Sequence, residues 1–180
     1  AVAYPLLLRR LLAETAADLG SAYVDVLLPN LFGENGRPNY NSFIATFASS
    51  IVCGTSPRIS DRAVDVLHVQ SAAESLIDGL TSVENILSPM STRSTVLEIY
   101  SKLNAFNEVY GRGGDIPSLN SALDVDLFNT LRYTRFPANY PILLKPRVDH
   151  RGNLMEVARV HGGQGQTFVS TTKPGMVRGE

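Results

Sequence analysis

The stretch that most constrains the fold is LLPNLFGENGRPNYNSFIATF, residues 27–47. Just before it, Tyr23 to Leu28 is rich in β-formers and almost continuously apolar. A strand buried on both faces of a parallel sheet reads that way. The chain then enters a polar loop, Pro29 to Asn39, with Gly33, Gly36 and Pro38 as breakers. Phe43, Ile44, Phe47, Ile51 and Val52 follow at helical spacing, and Gly54 ends that helix. A strand running through a polar loop into a helix is the unit of an α/β sheet. In such sheets ligands collect beyond the carboxyl ends of the strands.

The flanking sequence continues the alternation. Leu7, Leu8, Leu11, Leu12, Ala16 and Leu19 mark a first helix, which Gly20 can close in a left-handed conformation. Arg9 and Arg10 lie inside this apolar stretch rather than ahead of it, so it reads as a helix and not as a targeting peptide. We expect its beginning to have been cut away. A strand is predicted from Val64 to Val69. Ser71, with Glu74 at the capping-box position, then opens a helix to about Leu80. Thr92 is placed to cap a longer helix carrying Val96, Ile99, Tyr100, Leu103, Phe106 and Val109. Gly111 to Pro117 reads as a loop. Ser121 to Tyr133 reads as a helix with Leu123, Leu127, Phe128 and Leu131 on one face.

After Pro137 the pattern changes. Ile142 to Val148, Leu154 to Val160 and Thr167 to Thr172 read as strands separated by the turns HRGN and HGGQGQ. Helix alternating with strand gives way to strand alone, which puts a domain boundary at Pro137 to Tyr140. The expected division is residues 1–137 and residues 138–180, the latter too short to bury a sheet of its own. No internal repeat is present.

Composition removes several functions. Among 180 residues, 44% are hydrophobic and 18% charged, enough for a buried core. The formal net charge of -1 supplies no basic field for nucleic acid or for an anionic membrane. No apolar run is long enough to cross a bilayer. The single cysteine, Cys53, rules out an internal disulfide and a cysteine metal cluster, in keeping with a cytoplasmic setting. Cys53 falls late on a helix face beside Val52 and is expected to be packed rather than reactive. His68, His150 and His161 are scattered without metal-ligand spacing, and His161 is expected to face solvent.

The residues with chemistry to offer gather at the start of the second helix. Asn39, Asn41 and Ser42 stand where backbone N–H groups are free, so a phosphate can be held there; the plain alternative is that Asn39 or Asn41 merely caps the helix. Arg37 either presents a bidentate fork to a phosphate or is solvated. Tyr40 can stack on a base or a sugar.

Strand-Pro-Asn-apolar-Phe-Gly followed by Arg-Pro-Asn-Tyr-Asn-Ser and a helix resembles the extended short-chain dehydrogenase/reductase superfamily. More closely, it resembles the bifunctional capsular-polysaccharide enzymes that join such a reductase to a C-terminal cupin. The resemblance runs in consistent order through VDVLHVQSAAESLIDGL, STRSTVLEIYSKLNAF and LDVDLFNTLRYTRFP, and ends in VDHRGNLMEV and STTKPGMVRGE. It implies an α/β fold: the C-terminal part of a Rossmann-type reductase with its substrate-binding helices, followed by the first β-strands of a cupin. It also implies NADPH or NADH as hydride donor and a UDP-linked 4-keto-6-deoxy N-acetylamino sugar as substrate. A zinc-binding cupin would epimerise a neighbouring carbon, and the product would enter capsule or O-antigen synthesis; separately, a sheet edge left open predicts a homo-oligomer.

Position by position, Asn30, Gly33, Arg37, Pro38, Asn39, Tyr40, Asn41 and Ser42 match the segment with which the family shapes its nucleotide-sugar site. Pro29 and Asn30 fall near the nicotinamide end, and His68 falls on the strand bordering the substrate. Asp149, Arg151, Gly152 and Glu156 match the Asp-x-Arg-Gly-x-x-x-Glu opening of sugar-nucleotide cupins, where the arginine and glutamate contact the nucleotide sugar; a charged hairpin turn is the plain alternative.

The departures are equally specific. No G-x-G-x-x-G occurs. The catalytic Tyr-x-x-x-Lys would fall near Ala1 and Pro5, and Tyr4 is followed four residues on by Leu8, so Tyr4 is structural and no catalytic residue is assigned. Gln70 and Ser71 replace the family's paired aspartates. The cupin's zinc ligands would come after Gly179. The chain is therefore expected to be an internal piece in which neither the nicotinamide nor the zinc site is complete. A non-catalytic remnant or interaction module is the alternative, and an open sheet edge would favour association.

Overall fold

The structure is a computed structural model that describes residues 3–163 and 165–177. In chain order its elements are α1 (Ala3–Asp18), β1 (Asp25–Val26), β2 (Asn30–Phe32), α2 (Phe43–Val52), β3 (Ala63–His68), α3 (Val69–Gly79) and β4 (Ile86–Leu87). Then come β5 (Thr92–Thr95), α4 (Val96–Gly113), α5 (Ala122–Asn139), β6 (Arg147–Asp149), β7 (Gly152–Arg159) and β8 (Gln166–Thr172). They divide into two compact units, residues 1–32 with 63–94 and residues 33–62 with 95–180.

The first unit is α/β. β1 pairs in parallel with β4, Asp25 opposite Ile86 and Val26 opposite Leu87. A second sheet has the order β2-β3-β5, with Asn30 of β2 opposite Val66 and Phe32 opposite His68 in parallel register. Phe32, Val64, Val66 and Leu67 are buried in it. The run read as one strand from Tyr23 to Leu28 is strand only at Asp25–Val26, and β2 rises inside the segment read as loop. Pro29, which has no N–H to donate, separates the two ladders. The Asn30 side-chain amide then donates to the Asp65 carbonyl at 2.9 Å and ties the chain to β3.

Two helix starts also differ from the sequence reading. α3 begins at Val69, capped by His68, whose Nδ1 accepts from the Gln70 N–H; Ser71 lies within the helix, its carbonyl accepting from the Ser75 hydroxyl at 2.8 Å. Thr92 belongs to β5, and the cap of α4 is Thr95, in a full capping box with Glu98. α1 is fastened to β1 by an Arg9–Asp25 ion pair. Leu6, Leu7, Leu8, Leu11 and Leu12 of α1 are all exposed.

The second unit is a three-helix cluster with a small antiparallel sheet. α2, α4 and α5 pack around Ile44, Phe47, Ile51, Ile99, Leu103, Phe106, Leu127, Phe128 and Leu131. Phe47 meets Tyr100 edge-on at 5.3 Å, and Phe106 meets Phe128 at 6.1 Å. α2 occupies the residues its periodicity predicts, with Ser42 as N-cap. α4 runs on to Gly113, so the loop expected from Gly111 starts at Gly114, a left-handed C-cap. α5 starts where expected, with Ser121 as its N-cap, but extends beyond Tyr133 to Asn139. Cys53 is the C-cap of α2 and is exposed, not packed, because the helix ends there.

The strands β6, β7 and β8 form an antiparallel sheet in that order. Their first strand is shorter than predicted, Arg147–Asp149 rather than residues 142–148. The sheet is joined to the helical part by the loop after α4. Ile116 N–H donates to the Arg159 carbonyl, His161 N–H donates to the Ile116 carbonyl, and Arg159 pairs with Asp115 at 2.7 Å.

Candidate functional site

The loop from Gly33 to Ser42 lies wholly in the second unit and is shaped by backbone requirements. Asn35 and Asn39 are left-handed, φ 64° and 56°, which asparagine tolerates better than most side chains. Gly36 lies against α2: a Cβ there would come within 3.0 Å of the Ala45 Cβ. The turn is then locked onto the helix. Asn39 N–H donates to the Thr46 hydroxyl at 2.9 Å, the Thr46 hydroxyl donates to the Ser42 carbonyl at 2.9 Å, and the Ser42 hydroxyl accepts from Ala45 N–H at 3.4 Å.

Of the residues singled out in this loop, Ser42 is thus the cap, rather than Asn39 or Asn41, and Asn39 works through its backbone. Arg37, Asn39, Tyr40 and Asn41 are exposed, and the Arg37 guanidinium lies 5.8 Å from the centroid of the Tyr40 ring. The structure therefore brings a cation, an aromatic face and a helix N-terminus together on six consecutive residues.

Pro29, Asn30 and His68 belong to the first unit. His68 is 5% exposed, meets Phe32 edge-on at 5.4 Å and caps α3. Packing and capping account for its position. The Asn30 amide is engaged with Asp65, as described above.

Arg151 and Glu156 lie on the β-sheet of the second unit. Asp149 Oδ1 accepts from the backbone N–H of both Arg151 and Gly152, and the Arg151 guanidinium folds back on Asp149 at 3.1 Å. Gly152 has φ 149°, and a Cβ there would lie 2.0 Å from the Thr171 carbonyl oxygen. Asp149, Arg151 and Gly152 therefore build the turn itself. Glu156 Oε2 is 3.7 Å from Arg159, while Oε1 is buried without a hydrogen-bond partner.

The same unit holds a cleft that sequence reasoning missed. It encloses about 390 Å³ and is lined by Glu34, Tyr110, Asn129, Arg132, Tyr133, Arg135, Phe136, Tyr140 and Ile142. It borders the loop, since the Tyr133 hydroxyl donates to Asn35 Oδ1. A signal was available in the sequence: RYTRF continues the phase of α5, so Arg132 and Arg135 share one face.

Neither implied cofactor fits the residues present. Among the described residues no group of three or more His, Cys, Asp or Glu can hold a metal ion. No glycine-rich phosphate turn exists in the chain. The position matching the family's tyrosine, Ala1, and the segment from Arg178 onward lie outside the described residues. Among the described residues no helix is long and apolar enough to cross a membrane.

The fold is one shared with solved sugar-nucleotide enzymes. UDP-glucose 4-epimerase from Thermotoga maritima superposes with a TM-score of 0.59 at 16% identity over 72% of this chain and 51% of that one, a likeness of fold alone. The capsular polysaccharide assembling protein CapF from Staphylococcus aureus superposes with a TM-score of 0.75 at 29% identity, over 95% of this chain and 48% of CapF. In sequence, the chain is 25% identical over 173 residues to the UDP-2-acetamido-2,6-beta-L-arabino-hexul-4-ose reductase of Pseudomonas aeruginosa, covering 90% of this chain and 45% of that protein. The chain thus spans about half the length of the relatives it matches. No protein-family model matches it.

Proposed function

We propose that this chain is the substrate-holding part of a sugar-nucleotide reductase of capsule or O-antigen synthesis. In this reading residues 1–137 form the C-terminal part of the reductase domain, and residues 138–180 form the opening strands of a cupin. The observation that carries it is the match to CapF across 95% of the chain, which takes in both the α/β part and the antiparallel sheet. The similarity to a UDP-sugar reductase supports the same substrate class. The substrate would be a UDP-linked 4-keto-6-deoxy N-acetylamino sugar, and the setting the cytoplasm.

In this reading the pyrophosphate meets the N-terminus of α2. A helix leaves its first amides without intrahelical partners, and they favour an anion. Ser42 caps one of them, at Ala45. Arg37 supplies the charge, Tyr40 a stacking face, and Asn39 and Asn41 polar contacts to the sugar. Pro29, Asn30 and His68 carry only the roles the family resemblance implies for them, and Arg151 and Glu156 would serve the cupin's ligand. Hydride transfer from NADPH or NADH, and zinc in the cupin, belong to the whole protein; no step is assigned to residues of this chain.

Titration calorimetry with a UDP-N-acetylamino sugar tests this. Binding should be measurable, and Arg37→Ala should weaken it about ten-fold, the scale of a lost charge-assisted contact. Absence of heat at millimolar ligand would overturn the reading. The exposed leucines of α1 favour a second reading, an association module that ignores nucleotides. Such a chain would form homo-oligomers on size exclusion yet give no heat with any UDP-sugar.

A further inference from the structure

The cleft between α4 and α5 has the make-up of a ligand site in its own right. Its volume, about 390 Å³, lies in the range of small-molecule pockets. Two guanidiniums from one face of α5 reach it, Arg132 and Arg135, against a single lining carboxylate, Glu34.

Arg135 is held from behind. Its Nη1 donates to Asn107 Oδ1, and its guanidinium lies over Gly111, where a Cβ would come within 3.0 Å of Nη1. Its Nε is nonetheless buried with no hydrogen-bond partner among the described residues. A buried charged donor without a partner is costly and marks a place where a partner belongs. Arg132 is exposed, its guanidinium 5.8 Å from the centroid of the Phe128 ring.

The remaining wall is aromatic. Phe136 and Tyr140 stand with ring centroids 4.9 Å apart, tilted by 36°. Tyr110 closes the α4 side, itself edge-on to Phe128 at 5.2 Å. Fixed positive charge beside flat rings selects a ligand that carries an anion and a planar ring together. Stacking on such rings tolerates any base, and arginine matches phosphate geometry.

We propose that this cleft binds a nucleoside phosphate, with Arg132 and Arg135 on the phosphate and Phe136 and Tyr140 receiving the base. The same chemistry is offered by a free nucleotide and by the nucleotide end of a larger ligand. The proposal stands on the cleft and does not require the reductase reading.

The test is calorimetry on the full chain with UMP, AMP, uridine, inorganic phosphate and UDP-N-acetylglucosamine. UMP and AMP should each bind about ten-fold or more tightly than uridine or phosphate alone, since both halves of the cleft are needed. Arg132→Gln, at an exposed position, should weaken both nucleotides about ten-fold and flatten their salt dependence, while Arg58→Gln, exposed and outside the cleft lining, leaves them unchanged. Arg135→Gln should do the same where circular dichroism shows it folded; Arg132→Gln decides the matter otherwise.

If neither nucleotide binds, or if Arg132→Gln binds them as well as the parent chain, the proposal falls. UDP-N-acetylglucosamine separates the sources. Tighter binding than UMP, lost in Arg132→Gln, identifies a larger ligand; weaker binding than UMP identifies a free nucleotide. Binding of the UDP-sugar that is lost in Arg37→Gln and kept in Arg132→Gln overturns the cleft and leaves the loop reading standing.

Discussion

Asp124 is the carboxylate whose removal the structure makes most consequential. It sits in the first turn of α5 and is 4% exposed. Its Oδ1 takes the Lys102 ammonium of α4 at 2.6 Å, and its Oδ2 takes the Asn120 N–H at 3.0 Å. It therefore joins α4, α5 and the loop between them. Burial pushes its carboxyl upward, but the hydrogen bonds from Lys102, Ser121 and Asn120 and the charge of Lys102 together outweigh that, and its pKa lies below the ordinary aspartate value.

Asp124→Asn keeps the shape and removes the charge. The bond to a charged partner is worth about 1.5–3 kcal/mol, and a carboxylate in the first turn of a helix adds about 0.3–1 kcal/mol. Lys102 is 41% exposed in its side chain and regains water when released, so the lower half of that range applies. We expect a loss of about 2 kcal/mol, roughly thirty-fold in the folding equilibrium.

The pH dependence gives the sharper test. A carboxyl lowered by folding contributes stability that is fully present above its unfolded pKa, about 4. That stability is lost as pH falls through the lower folded value. Asparagine does not titrate. The gap between parent and variant should therefore be full at about pH 7 and close progressively below about pH 4. Urea denaturation followed by circular dichroism measures it, with hydrogen exchange of α4 and α5 to locate it. A gap that stays constant with pH would refute the electrostatic argument, and a gap below about 0.5 kcal/mol would refute the burial argument.

Three further outcomes follow from packing and capping. Leu103→Ala removes a side chain with 0% exposure at the centre of the α2–α4–α5 cluster and should cost about 2–5 kcal/mol in urea denaturation. Thr95→Ala breaks the capping box with Glu98 and should cost about 1 kcal/mol, read as faster amide exchange confined to the first turn of α4. Gly152→Ala forces a Cβ onto the Thr171 carbonyl and should cost more than about 2 kcal/mol; exchange should rise along β7 and β8 while α2 and α4 stay protected.

Where the local pattern is long, it was legible. α2 begins and ends where its apolar period predicts, although its cap is Ser42 and neither Asn39 nor Asn41, and α5 starts at the position expected, with Ser121 as its cap. Apart from the cap of α2 and the ends of α4 and α5, the errors fall where a ladder decides and a local motif only competes. Ser71 with Glu74 has the letters of a capping box, yet helix α3 starts three residues earlier because β3 ends at His68, opposite Phe32. Thr92 resembles a cap as much as Thr95 does; the sheet takes Thr92 into β5 and leaves Thr95 at the helix. β1, β2 and β4 are two or three residues long, too short for any period to appear.

The candidate site divides along the same line. The loop residues Arg37 to Ser42 are consecutive, so the turn they form into α2 can be read from a single window of sequence. The cleft takes its lining from residue 34, the end of α4, the end of α5 and the chain beyond it. No single window of sequence contains that set. It also depends on α5 continuing past Tyr133, because only then do Arg132 and Arg135 lie one turn apart and aim together. A helix taken to stop at Tyr133 leaves Arg135 and Phe136 as loop residues with no direction. Helix length, more than residue identity, therefore decides whether two arginines make a solvated tail or a site. A substitution that shortens α5 without touching either arginine, such as Thr134→Pro, should weaken nucleotide binding at least as much as Arg132→Gln, about ten-fold or more. Nucleotide binding as tight in a Thr134→Pro chain as in the parent would show that the helical phase of Arg132 and Arg135 does not build the cleft.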